Sequence, residues 1–365
     1  MIAHEPASIE EAGEILSRLS REKQRCLFTG AGTKPGPGEP AKQIDALVST
    51  RRLSRIVEYE ASDQVVSVEA GIPLAALQKE LAAQGQRLAL DPPFASKATL
   101  GGIIATASSG PRRMRYGGVR DLILGVTVIR ADGVVARGGG KVVKNVAGFD
   151  LPKLMCGSLG TLGFIAAATL RLHPLPEAEV TLVAQSLPTG SVPDLLDKLR
   201  EAQIEPAAML ATRIGPGRWD VAVLFEGFEA GVRQQQGRLR GIAPFDPGDP
   251  WKEHAAMRES GAVRLKVAAL PTALPQVEQA LFSALPDARI AWYPSLGLGY
   301  VSTDLAQIAP LLESARRGLS VVVEAGPADL DAWGPPPPAL RLHQAMKARF
   351  DPDGLLAPGR FVGGI

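Results

Sequence analysis

The loop Thr29-Gly30-Ala31-Gly32-Thr33-Lys34 follows directly on the apolar run Cys26-Leu27-Phe28. Glycines at this spacing allow three kinds of chemistry. A dinucleotide fingerprint needs a glycine at the sixth position and a helix behind it, but Pro35 holds that position, and Pro37 and Pro40 prevent a helix from starting. A Walker loop needs G-K-[ST] after four intervening residues, which neither this loop nor Gly140-Lys141-Val142 supplies. There remains a turn whose successive N–H groups form a nest for an anion such as pyrophosphate, or an ordinary glycine turn between strands.

Residues 92–174 repeat the texture: Thr99-Leu100-Gly101-Gly102, Ser108-Ser109-Gly110-Pro111-Arg112-Arg113, Arg115-Tyr116-Gly117, Lys144-Asn145-Val146-Ala147-Gly148-Phe149-Asp150 and Gly157-Ser158-Leu159-Gly160-Thr161-Leu162-Gly163. Glycine at this density in an apolar segment brings backbone close to something, because no Cβ stands in the way. It points to a large, flat, phosphate-bearing ligand. Thr99 is placed to cap a helix whose first N–H groups, from Gly101 and Gly102, are then available to a diphosphate. Arg112, Arg113 and Arg115 form either a solvated loop or a surface for an anion or a docking partner.

Composition narrows the choice. Forty basic and 38 acidic residues leave a formal charge of +2, which gives no general attraction to nucleic acid or anionic membrane. The two cysteines, Cys26 and Cys156, lie far apart, and the histidines (His4, His173, His254, His343) are scattered, so neither an iron-sulfur cluster nor another metal centre is supported. No long apolar run and no basic-then-apolar leader are found, and a cytoplasmic protein without a transmembrane segment is expected.

A chain of 365 residues exceeds one ordinary core and predicts two domains. Helical spacing over residues 8–19 is followed by short strands at 26–28, 45–48, 55–59 and 65–69, and by a helix opening at Pro73. Ala131-Asp132-Gly133 predicts a hairpin, and residues 162–172 read as a buried strand. From Glu177 strands and helices alternate, which predicts an antiparallel sheet covered by helices. The tail, ending in Ala357-Pro358-Gly359-Arg360-Phe361, is too rich in turn-formers for a free terminus.

Taken together, these motifs resemble the FAD-binding oxidoreductases of the vanillyl-alcohol oxidase type, and most nearly the FAD-binding subunits of bacterial glycolate oxidases. The carriers are residues 30–34, 99–102, 110–113, 120–121, 144–150, 157–163 and 358–360. The resemblance implies an α+β fold: a two-subdomain PCMH-type FAD-binding domain over 1–175 (about 1–70 and 71–175), an antiparallel-sheet α+β cap over 176–338, and a return to the FAD domain over 339–365. It implies that Gly30, Ala31, Gly32, Thr33, Lys34, Thr99, Leu100, Gly101 and Gly102 hold the pyrophosphate. Asn145, Val146, Gly148, Gly163, Phe164 and Ile165 would approach the rings through backbone, and Arg360 would close over the flavin. Pro92, Ala105, Thr106, Ser109, Gly110, Arg115 and Tyr116 complete the implied cofactor set.

The chain departs from the family pattern at Phe149, where tyrosine is usual, and at Ala357, where asparagine is usual. It also lacks the histidine-rich metal site of the catalytic relatives' cap. The FAD is expected to be non-covalent, with Cys156 the one nearby thiol. Three functions follow. The first is a subunit of a glycolate (2-hydroxy-acid) oxidase complex, with a second FAD subunit and an iron-sulfur subunit as partners. Arg264 and Lys266, two apart and so on one face of a strand, would then bind the substrate carboxylate. The second is a stand-alone dehydrogenase of lactate or a sugar alcohol. The third is a non-catalytic FAD-holding scaffold that docks a catalytic subunit through Arg112 and Arg113.

Overall fold

Alternating burial along the strands and buried stripes on the covering helices build separate cores in each of two units. A computed structural model describes residues 1–34, 36, 38–141, 148–283, 285–305 and 308–365. Asn145 and Val146 lie outside the described residues. The chain divides into one unit of residues 1–110, 117–174 and 335–365, and a second of residues 111–116 and 175–334.

The first unit holds two sheets. Ile2–His4, Ala46–Ser49 and Cys26–Thr29 form a parallel three-stranded sheet with Ala46–Ser49 in the middle. The helix Ile9–Arg21 begins where the Ser8 hydroxyl accepts from Glu11 N–H at 3.1 Å. Its stripe Ala12, Ile15, Leu16 and Leu19 is buried with Cys26, Ala46, Val48 and Phe164. An antiparallel five-stranded sheet runs Ile56–Glu60, Val65–Glu69, Phe164–Arg171, Ile123–Ile129, Val135–Gly139. The last two strands form the hairpin expected at Asp132-Gly133, where Gly133 has φ +85.

These pairings correct the inner boundary expected near residue 70. Ile56–Glu60 and Val65–Glu69 are joined to the five-stranded sheet, because Val65–Glu69 finds its neighbour in Phe164–Arg171, a hundred residues away. Local sequence carries no sign of that partner. After the helix Leu340–Phe350 the tail lies along the first sheet: Cys26 N–H donates to Leu355 O and Ala357 N–H to Cys26 O, both at 2.8 Å.

The second unit is built on an eight-stranded antiparallel sheet in the order Asp246–Pro247, Ala178–Pro188, Arg218–Gly227, Ala208–Gly215, Arg289–Tyr293, Leu298–Thr303, Val263–Ala268, Ser320–Ala325. Helices Ser191–Glu201, Glu229–Leu239, Leu274–Phe282 and Ala309–Ala315 cover one face around Trp219, Phe225 and Trp292. Helix Trp251–Glu259 covers the other, with Met257 against Tyr293 and Tyr300. Among the described residues no helix is long and apolar enough to cross a membrane.

Candidate functional site

In the first unit the strand Cys26–Thr29 delivers its glycine loop to a cavity of about 100 Å³. Gly30, Ala31, Gly32, Thr33 and Lys34 line it together with Thr99, Gly102, Ala105, Thr106 and Arg360. Among the described residues the N–H groups of Ala31, Gly32 and Thr33 have no hydrogen-bond partner. Gly32, at φ +69, turns the backbone so that successive N–H groups can converge, the geometry of an anion nest. The Lys34 ammonium donates to the Ser108 hydroxyl, which also meets Thr106 Oγ1 at 2.7 Å. Three adjacent donors and an ammonium can hold an anion with several oxygens. The volume suits such a head group and falls well below that of a pocket for a whole dinucleotide.

The opposite wall corrects an expectation. Thr99 does cap the helix Leu100–Thr106, accepting from Gly102 N–H at 3.4 Å. Gly101 N–H, however, donates to Ala70 O at 2.7 Å, and Leu100 N–H to Ile72 O at 3.0 Å. The N–H groups of Gly101 and Gly102 are therefore occupied rather than available to a diphosphate. Their glycines serve contact instead. A Cβ at Gly101 would lie 2.9 Å from Ala70 Cβ, and one at Gly30 would lie 2.0 Å from Thr99 Oγ1. Leu100 itself is core.

Other expected cofactor residues stand outside the cavity. Gly163 is a packing glycine, since its Cβ would meet Val128 Cγ1 at 2.5 Å, and Phe164 and Ile165 are core. Gly110 is pressed against Asp91 and Pro92 is buried beside it. Ser109 is buried without lining the cavity, and Gly148 has open space around it.

Of the three arginines expected as a solvated loop or as a surface for an anion or a docking partner, Arg112 and Arg115 are engaged instead by the protein itself. Arg112 donates to the fully buried Glu226 carboxylate (2.6 Å) and to Glu179 (3.2 Å), and Tyr116 Oη donates to Glu226 at 3.0 Å. Arg115 donates to Glu205 O at 3.3 Å. Their polar groups are engaged within the second unit, because a buried Glu226 carboxylate requires them. Cavity residues absent from the expected set are Phe28, Thr29, Ala98, Leu159 and Gly160. The last two, which turn with φ +52 and +81, belong to the glycine run 157–163, a sequence feature that could have marked them.

In the second unit Val263–Ala268 buries Val263, Leu265 and Val267 in the main core and sets Arg264 and Lys266 on the opposite face, Lys266 in register with Tyr300. Arg264 donates to Glu259 O at 3.3 Å, and burial holds it below the ordinary arginine range. On this side of the sheet and on helix Trp251–Glu259, which covers it, stand four residues that sequence alone did not single out for this site. Arg258 lies 3.3 Å over the Tyr300 ring and donates to Tyr293 Oη at 2.8 Å; His254 Nε2 meets that oxygen at 2.8 Å. Burial, then the Arg258 charge, pushes His254 down to about 3, so the imidazole that shares a hydrogen bond with Tyr293 Oη is neutral. A larger cavity, about 960 Å³, opens elsewhere in this unit beside Leu196, Arg238 and Leu270, and neither Arg264 nor Lys266 lines it. Among the described residues no three His, Cys, Asp or Glu side chains gather as a metal set.

A family model described as an FAD binding domain matches residues 2–139. Over 364 residues the chain is 30% identical to glycolate oxidase subunit GlcE of Escherichia coli strain K12, covering 97% of this chain and 96% of that protein. The chain belongs to this family of FAD-linked oxidoreductases. FAD is the cofactor of the oxidoreductase. It is also 29% identical to glycolate oxidase subunit GlcD of Bacillus subtilis strain 168, over 56% of this chain and 43% of that one. To the D-lactate dehydrogenase of Archaeoglobus fulgidus it is 34% identical over 50% of this chain and 41% of that one, so it spans less than half of these two relatives. A solved structure of alkyldihydroxyacetonephosphate synthase superposes with a TM-score of 0.72 at 19% identity, over 98% of this chain and 75% of that one, which establishes the fold. Cys156, the one thiol near the loops, is pushed up to about 12 by burial and is not a ready nucleophile at neutral pH.

Proposed function

We propose that this oxidoreductase is the FAD subunit of a complex that oxidises a 2-hydroxy acid, with glycolate the first candidate. The observation that carries the reading is the run of N–H groups at Ala31, Gly32 and Thr33, without a hydrogen-bond partner among the described residues, beside Lys34 at one cavity. These groups would hold the cofactor diphosphate, with Thr99, Gly102, Ala105 and Thr106 as the facing wall and Arg360 adding positive charge. Glycine at 30 and 32 lets the backbone come within hydrogen-bond distance of the phosphate oxygens. Among the described residues no thiol or imidazole lines this cavity, which supports the reading of the FAD as non-covalent. When bound, FAD supplies the acceptor for the two electrons removed from the substrate CH–OH group.

Arg264 and Lys266 would hold the substrate carboxylate through two cations on one strand face, with Arg258 fixing the aromatic floor beneath them. Two cysteines cannot supply the thiolates of a cluster, so electrons would pass to a separate iron-sulfur partner, in a cytoplasmic assembly with a second FAD subunit. The full-length likeness to GlcE, which is named as a subunit, supports the complex over a stand-alone enzyme.

The test is an anaerobic visible spectrum of the purified chain, with glycolate and then D-lactate added. Bleaching of the flavin band by glycolate is the expected result. A yellow protein that neither acid bleaches would favour the non-catalytic scaffold, and a chain that cannot be reconstituted with FAD would overturn the site.

A further inference from the structure

We propose that Lys347 is a positioning residue of the cofactor cavity, its buried ammonium tying the carboxy-terminal tail to residues 157–163 and so holding Arg360 and Gly160 at the cavity wall. The proposal rests on the reading of that cavity as the diphosphate site. Lys347 Nζ has three protons and three acceptors: Thr161 O at 2.9 Å, Leu356 O at 2.7 Å and Asp351 Oδ2 at 2.6 Å. The acceptors come from two stretches, Thr161 on one side and Asp351 with Leu356 in the tail, that sequence separates by up to 195 residues. Thr161 follows Gly160, and Leu356 stands four residues before Arg360; both Gly160 and Arg360 line the cavity.

Asp351 completes the device. Its side chain is fully buried, and it accepts Leu355 N–H at 3.0 Å and Leu356 N–H at 2.7 Å as well as the ammonium. Below this point the tail is fastened to Cys26 through Leu355 O and Ala357 N–H, and beyond it Glu39 N–H donates to Arg360 O at 3.0 Å. On the other side Thr161 closes a tight turn, donating through both N–H and Oγ1 to Ser158 O. The turn that carries Gly160 and the tail that carries Arg360 thus share one cation. A buried charge pair broken on one side leaves the other charge without compensation, whereas replacing both by apolar groups can be nearly neutral in stability. That asymmetry separates positioning from simple structural support.

The experiment compares Lys347→Met, and the double variant Lys347→Met with Asp351→Leu, against the unaltered chain and against Lys34→Met. The readouts are the FAD dissociation constant of the apoprotein by flavin fluorescence, hydrogen exchange of residues 157–163 and 355–361, and the melting temperature. The double variant keeps the fold within reach if the single variant is too unstable to isolate. Faster exchange in both segments is expected, with FAD binding weakened about tenfold, as if the charge-assisted bond of Arg360 were withdrawn, in the double variant, which melts near the parent. If both segments loosen while FAD binds within about twofold of the parent, and Lys34→Met still weakens it, the positioning role is overturned and the cavity reading stands. If Lys34→Met also leaves the affinity unchanged, the cavity reading fails and the role of Lys347 toward the cofactor fails with it. Unchanged exchange in both segments would overturn the tie itself.

Discussion

Two glycine-rich stretches face each other across one cavity, and they use glycine for opposite ends. Among the described residues the N–H groups of Ala31, Gly32 and Thr33 have no partner, while at residues 99–102 the N–H groups of Leu100, Gly101 and Gly102 are all taken. The first stretch leaves a parallel strand at its exposed end, where no neighbouring strand claims the next donors. The second starts a helix beside Ala70 and Ile72, whose carbonyls have no other ladder to join. Glycine density therefore marks close approach, and only the neighbouring backbone decides whether a ligand or the protein itself makes that approach.

The sharpest way to break this contrast is a methyl group on each stretch. Gly30→Ala would place its Cβ 2.0 Å from Thr99 Oγ1, at the cavity wall. It should cost roughly 1–3 kcal/mol of stability and abolish FAD retention, seen as a lower melting temperature and a colourless protein. Gly101→Ala meets Ala70 Cβ at 2.9 Å and Ala70 O at 3.0 Å. A similar loss of stability is expected, but the folded fraction should bind FAD within a few-fold of the parent. If Gly101→Ala removed FAD while leaving the melting temperature unchanged, the distinction between the two stretches would fail.

Lys34→Met sharpens the comparison without touching backbone. It should weaken FAD binding by about tenfold, with a smaller salt dependence than the parent and little change in melting temperature. A parent-like affinity would leave the nest without its cation.

The smallest effect sets this backbone-built cavity against the side-chain cluster of the second unit. His254 is pushed down to about 3, below the unfolded value of 6.5, so below pH 6.5 the unfolded chain takes up a proton that the folded chain does not. Its contribution to stability is complete above pH 6.5 and is lost as pH falls toward 3. Between pH 7 and about 5.5 the loss should be of order 1 kcal/mol, and His254→Gln should flatten that slope in urea titrations. An unchanged slope would show that another group carries it.

Sequence by itself determined the local half of this protein. Helix Ile9–Arg21 with its Ser8 cap, the Asp132-Gly133 hairpin, the turn at Gly30–Gly32 and the alternation that puts Arg264 and Lys266 on one face all follow from spacing and turn chemistry acting within a few residues. The cavity loop was legible for the same reason, because Pro35 rules out its helical alternatives by local sterics. Tertiary structure alone decided which donors stay open and which charges are engaged. Gly101 N–H is taken by Ala70, Arg112 is claimed by Glu226 more than a hundred residues on, and Lys347 finds Thr161 across 186 residues. Each of those pairings satisfies a buried polar group, a requirement that is absolute in the fold but has no fixed distance along the chain.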